Sequence, residues 1–160
     1  MLEFTHTNST QEEYSLQNLR NKVETYFKNR FGVRKGFWKD YNLYEKGNSI
    51  WITSKELDPR EDFIAGGIRT LRYIGKKMKP TTYILQILNG RIKKNVKHLN
   101  EKEAETLILE REPIEESLDP GYIALKINNK VIGCGMMNHQ SELKTQISKN
   151  RTKELQEILQ

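Results

Sequence analysis

The sequence predicts an α+β fold. A small β-barrel with flanking helices runs from about Gly67 to Gln160, after an α/β N-terminal part over residues 1–66 whose first eight residues form a loose tail. Three observations carry this. Residues 121–147 alternate in the two-residue period of strands, with Ile123, Leu125 and Ile127 on one face and Tyr122, Ala124 and Lys126 on the other. Residues 9–30 instead follow a helical period, with a capping-box start at Ser9 or Thr10 and an apolar stripe of Leu16, Leu19, Val23, Tyr26 and Phe27. Finally, Gly66-Gly67 breaks the chain between the two patterns.

Taken in order, the first helix should stop near Arg30, before Gly32. Arg34 and Lys35 then precede Phe37, Trp38, Tyr41 and Tyr44. Cations among aromatic rings can stack bases, but rings of this size also fill the gap between a helix and a sheet. Ser49–Thr53 reads as a strand, with Ile50 and Ile52 on one side and Trp51 on the other. Ser54–Asp62 is polar and suits a short helical turn anchored by Phe63 and Ile64. Ile68–Gly75 is a strand with no cleanly apolar face. Pro80 suits the first position of a helix that places Tyr83, Ile84, Ile87 and Leu88 on one side and ends at Gly90. Val96–Leu99 is a short strand, and Asn100 with Glu103 opens another helix, with Ala104, Leu107 and Ile108 inward. Asp119-Pro120-Gly121 turns into a hairpin of Tyr122–Ile127 and Val131–Met137 joined by Asn128-Asn129, since asparagine tolerates positive φ. Gly133 and Gly135 share a face, where another backbone or a ligand could approach. Leu143, Thr145 and Ile147 alternate with Lys144, Gln146 and Ser148, and Asn150 caps a final helix.

The ordered combination of the Gly121-Tyr122 strand, the Asn-Asn turn, Val131-Ile132-Gly133-Cys134-Gly135 and the run from Leu143 to Arg151 resembles the end of a PUA-type RNA-binding domain. The nearest likeness is to the PUA-like domain of Sun-type RNA cytosine-5 methyltransferases, and it extends upstream through Lys79–Tyr83 to about Gly67. The resemblance implies binding of structured RNA, ribosomal or transfer, in RNA modification or ribosome assembly, beside a separate modifying enzyme. Those methyltransferases carry an S-adenosylmethionine domain and a catalytic cysteine next to proline. This chain has no such glycine-rich strand–turn–helix, and its one cysteine, Cys134, lies between two glycines. The resemblance therefore reaches the RNA-binding appendage only, and no enzyme activity or cofactor is expected.

Charge patterning agrees with an anionic partner. The net charge is +6, but residues 61–100 hold nine basic and two acidic residues while residues 101–120 hold two and eight. The candidate RNA contacts are Arg72, Lys76, Lys77 and Lys79 before the Pro80 helix, Arg91, Lys93 and Lys94 after it, and Lys144, Lys149 and Arg151 at the end of the hairpin. Lys97 continues the second cluster. The acidic segment should face away from RNA. The alternative is a protein-interaction module whose basic surface meets an acidic partner.

Other chemistry finds no footing. His6, His98 and His139 with Cys134 make no zinc spacing, and the glutamates between 101 and 116 pin no acid–base pair. No Walker A, GxSxG or HExxH pattern occurs. Cys134 permits no intramolecular disulfide and reads as a small buried filler. With no long apolar run and no signal peptide, a soluble cytoplasmic protein without membrane contact is expected.

Overall fold

The structure, a computed structural model, describes residues 2–54 and 67–159. It is mixed α+β with two curled sheets, and the chain divides into two units, Met1–Met78 and Lys79–Gln160. The expected boundary at 66/67 therefore shifts downstream. The reason is pairing: the strand after Gly67 is hydrogen-bonded to Ser49–Ile52 and so belongs to the first unit.

In the first unit, helix α1 spans Leu2–Phe31. It starts upstream of the capping box, so the segment read as a loose tail is helical. Nothing in residues 2–8 is Gly or Pro, and extending an existing helix is far easier than nucleating one. Its buried line is Leu19, Val23, Phe27 and Phe31, at uniform i, i+4 spacing. Leu16 falls one residue off that line and stays 56% exposed. Gly32, with φ of 71°, ends the helix as expected and lets its N–H donate to the Lys28 carbonyl. A 3₁₀ helix follows over Lys35–Asp40. Within it Trp38 is fully buried, with its ring centroid 4.9 Å from that of Phe27. Of the two roles open to this ring, it takes the gap-filling one.

Strands β1 (Tyr41–Lys46) and β2 (Ser49–Ser54) form a hairpin about Gly47, and β3 (Ile68–Ile74) and β4 (Lys77–Pro80) follow in sheet order β1-β2-β3-β4. Leu43, Ile50, Ile52 and Leu71 are buried. Strand β3 lacked a clean face in the sequence because the register shifts opposite Ile50/Trp51. Leu71 pairs with Ile50 and Arg69 with Trp51, so Thr70 is the extra residue of a bulge and both Thr70 and Leu71 are buried. The helical turn anticipated at Ser54–Asp62, with Phe63, Ile64 and Gly66, lies beyond Ser54 outside the described residues.

In the second unit, α2 (Thr82–Ile87) is capped by Thr81, whose hydroxyl accepts the Ile84 N–H at 3.2 Å. Pro80 is the last residue of β4 and not the first of the helix. Ile84, Leu85 and Leu88 are buried, but Tyr83 and Ile87 face solvent, against the expected apolar side. After a 3₁₀ turn at Asn89–Arg91 come β5 (Val96–His98), α3 (Glu101–Ala104) with the anticipated capping box formed in both directions, and a π-helical turn at Glu105–Leu109. Then follow β6 (Ile114–Glu115), β7 (Gly121–Ile127), β8 (Lys130–Met137), β9 (Glu142–Thr145) and α4 (Lys149–Leu159). The sheet order is β5-β7-β8-β9-β6, with β7, β8 and β9 an antiparallel meander and β5 parallel to β7. Asn128 and Asn129 take φ of 50° and 65°, the doubly left-handed turn that joins β7 to β8.

Ile123 and Leu125 lie in one core with Leu107, Ile108, Leu143, Ile147 and Leu155, and Ile127 packs half-buried at its edge. The opposite side of β7 is buried as well, at Tyr122, Ala124 and Lys126. The space beside Gly133 and Gly135 is taken by the chain itself, and at Gly135 another backbone does come close, one of the two expected occupants. A Cβ on Gly133 would lie 2.5 Å from Ile147 Cγ1, and one on Gly135 would lie 2.9 Å from Leu143 Cδ1 and 3.0 Å from the Lys144 carbonyl. Core side chains use the missing volume. Cys134 is buried beside them.

Candidate nucleic-acid interface

The candidate cations fall in both units. In the first, Arg72 sits on β3 opposite Ser49, Lys76 in the turn after Gly75 and Lys77 at the start of β4, all exposed. In the second, Lys79 Nζ donates to Gln146 Oε1 at 3.3 Å and lies 5.9 Å from the centre of the Tyr122 ring. That contact brings the end of β4 to the segment that follows β9, two residues beyond the exposed Lys144. Lys149 opens α4 and is exposed. Arg151 instead holds Glu154 at 2.7 Å. Arg91 closes the 3₁₀ turn after α2, and Lys93 and Lys94 follow it, all three exposed.

Local structure orients the second cluster. The Asn89 side chain donates to the Asn129 carbonyl at 2.9 Å and accepts the Val131 N–H at 3.0 Å. The 3₁₀ turn is thereby pinned to the β7–β8 hairpin, and the chain leaves it at Lys93 and Lys94. One cation of this region was not picked out from the sequence. Lys126 is only 7% exposed, and its ammonium donates to the Asn89 carbonyl at 2.8 Å. Burial pushes its pKa below the usual lysine value, and the nearby charge of Lys93 adds to the effect. The available signal was a lysine set inside an otherwise apolar strand.

Lys97 has a different role from the cluster it follows. Its Nζ lies 2.8 Å from Glu103 Oε2 and 2.7 Å from Glu116 Oε2. It therefore ties the acidic segment down. Hydrogen bonding from Lys97 holds the Glu103 carboxyl below its usual value, against burial and with help from the Asn100 N–H. A carboxyl held low contributes stability that is complete above its unfolded pKa and is lost as pH falls through the folded one. The stability gap between wild type and Glu103→Gln should accordingly be largest near neutrality and close as pH drops below the carboxylate range. Urea unfolding across an acid pH series measures this, and a gap independent of pH would deny the pair its role.

Among the described residues, Arg72, Lys76, Lys77, Lys93, Lys94, Lys144 and Lys149 make no ion pair. Among the described residues, no acid neutralises these seven cations. The first unit also presents an aromatic group that the sequence placed elsewhere. Tyr44 and Trp51 are cross-strand partners with nearly parallel rings 6.3 Å apart, and the Arg69 guanidinium lies 5.0 Å over Trp51. The described residues include no cluster of His, Cys, Asp and Glu able to hold a metal, and no helix long and apolar enough to cross a membrane.

An α+β chain that presents several exposed cations without an ion pair among the described residues is thus the class that fold and surface define. Residues 3–65 match a family of unknown function (DUF7122), a stretch that lies within the first unit. No curated protein and no solved structure matches the chain.

Proposed function

We propose that this chain binds structured RNA, ribosomal or transfer, through the second unit acting as a PUA-like domain, in RNA modification or ribosome assembly in the cytoplasm. The observation that carries the reading is the separation of charge. Lys93, Lys94, Lys144 and Lys149 have no acidic partner among the described residues, while Glu103 and Glu116 of the acidic segment are engaged by Lys97. When such cations neutralise phosphates of an RNA backbone, the RNA sheds its own condensed counterions, and that release favours binding. A curled five-stranded sheet flanked by helices supports the PUA-like assignment. The sequence resemblance from Gly67 onward supports it further. Recognition would rest on phosphate contacts and RNA shape, with little reading of base edges.

On this reading the chain delivers or positions RNA for a separate enzyme and does not itself transfer a methyl group. The burial of Cys134 on β8 supports that reading. Incubating the isolated chain with S-adenosylmethionine and ribosomal or transfer RNA should give no methylated product. Product that vanishes in Cys134→Ser would overturn that part of the proposal. The binding itself is tested by titrating RNA over a salt series, as developed in the Discussion.

A further inference from the structure

One side of α2 faces solvent. Tyr83 is 70% exposed and Ile87 is 41% exposed, and the two are one helical turn apart on the same side. Isolated apolar residues on a surface are ordinary. This pair is set apart by its place in the chain and by the charges around it. Lys79 stands before the helix, held by Gln146 near Lys144. Lys93 and Lys94 stand after it, without ion pairs among the described residues. The six residues of α2 and the three of the following 3₁₀ turn together advance about 15 Å along the chain axis.

We propose that the exposed side of α2 is a track for an unpaired stretch of RNA, in which a base stacks on Tyr83 while the flanking phosphates meet Lys79 on one side and Lys93 and Lys94 on the other. The proposal rests on the RNA reading and deepens it by naming where a base is held. A ring as exposed as that of Tyr83 can meet another flat ring face to face, and stacking of this kind accepts any base. Ile87 extends the apolar strip along the path to the second cation group. Burying a strand there needs no side chain to move out of the core, because Ile84, Leu85 and Leu88 take up the inner side of the helix.

The experiment compares Tyr83→Ala and Tyr83→Phe with wild type, on a single-stranded oligoribonucleotide and on an abasic oligomer of the same length. Loss of one stacked base should weaken Tyr83→Ala on the base-bearing oligomer by about 5- to 150-fold. Tyr83→Phe should bind like wild type, since the ring and not the hydroxyl is used. The dependence on salt should be the same for all three proteins, because no phosphate contact is removed, and on the abasic oligomer wild type and Tyr83→Ala should be equal. Wild-type affinity in Tyr83→Ala, in a protein whose binding still falls with salt, would remove the stacking site and leave the RNA reading standing. An equal loss on both oligomers would also overturn stacking. Absence of RNA binding by wild type would end both.

Discussion

Reversing Lys93, Lys94, Lys144 and Lys149 together to glutamate should lower RNA affinity by two to three orders of magnitude near 0.1 M salt. Each phosphate neutralised on a single strand adds about −0.7 to the slope of log affinity against log salt, and about five or six contacts give a wild-type slope near −4. Removing four contacts should bring the slope to about −1. Each pair alone, Lys93 with Lys94 or Lys144 with Lys149, should reduce its steepness by about 1.4. The loss should be similar for every RNA, because phosphate contacts carry little sequence information. Arg151 is left out of the variant because it already holds Glu154, and its reversal would disturb α4 as well as any ligand. Glu115, exposed on β6, is the matching control: Glu115→Gln should leave affinity unchanged or raise it slightly. Glu116 cannot serve, since it anchors Lys97. A fourfold reversal that leaves both affinity and slope unchanged would remove the site. If RNA binding proves weak and insensitive while the same variant loses an acidic protein partner, the interaction-module alternative takes its place.

Leu125→Ala should destabilise the second unit by about 2–5 kcal/mol, the range for deleting a fully buried leucine with incomplete collapse of the cavity. Leu125 has no exposed surface and lies in the core shared by β7, β8, β9, the π-helical turn and α4. Its Cδ2 would be 3.3 Å from a Cβ on Gly135, which indicates how closely the two strands' side chains interlock. Collapse is limited because Gly133 and Gly135 already bring Ile147 and Leu143 against the sheet. Ile127→Ala, at the edge of the same core, should cost distinctly less. Equilibrium urea unfolding with a probe in the second unit provides the measurement. A change in Leu125→Ala below about 0.5 kcal/mol would be a surface effect and would contradict its place in the core.

Several parts of this architecture were legible in the residues. The Asn128-Asn129 turn, the capping box of Asn100 and Glu103 and the helix end at Gly32 all rest on neighbours a few positions apart, and all formed as read. Strand β1 was not legible, because its rings at Tyr41 and Tyr44 resembled a loop platform and not a sheet edge. The apolar side of α2 was misassigned for a related reason. In so short a helix, Tyr83–Ile84–Ile87–Leu88 and Ile84–Leu85–Leu88 are equally good stripes, and only the sheet it packs on chooses between them. The same applies to Leu16, lost from the stripe of α1 once Phe31 extended the buried line.

Of the candidate contacts, the residues identified the clusters but not the state of each charge. Lys97 reads like Lys93 and Lys94 until Glu116, nineteen positions away, is seen beside it. Lys126 reads like a solvent-facing strand residue until Asn89 is found accepting from its ammonium.

What the sequence by itself determined is therefore local: the strand period of 121–147, the turns that need positive φ, the caps, and the placement of basic and acidic residues in separate segments. These follow from side-chain sterics and hydrogen bonds within about one turn or one hairpin. Tertiary structure decided which face each element buries, what occupies the space left by Gly133 and Gly135, and which lysines keep an unneutralised charge. Those outcomes depend on atoms brought together from distant positions, such as Lys79 and Gln146 or Gly133 and Ile147, and short-range pattern does not encode such pairings.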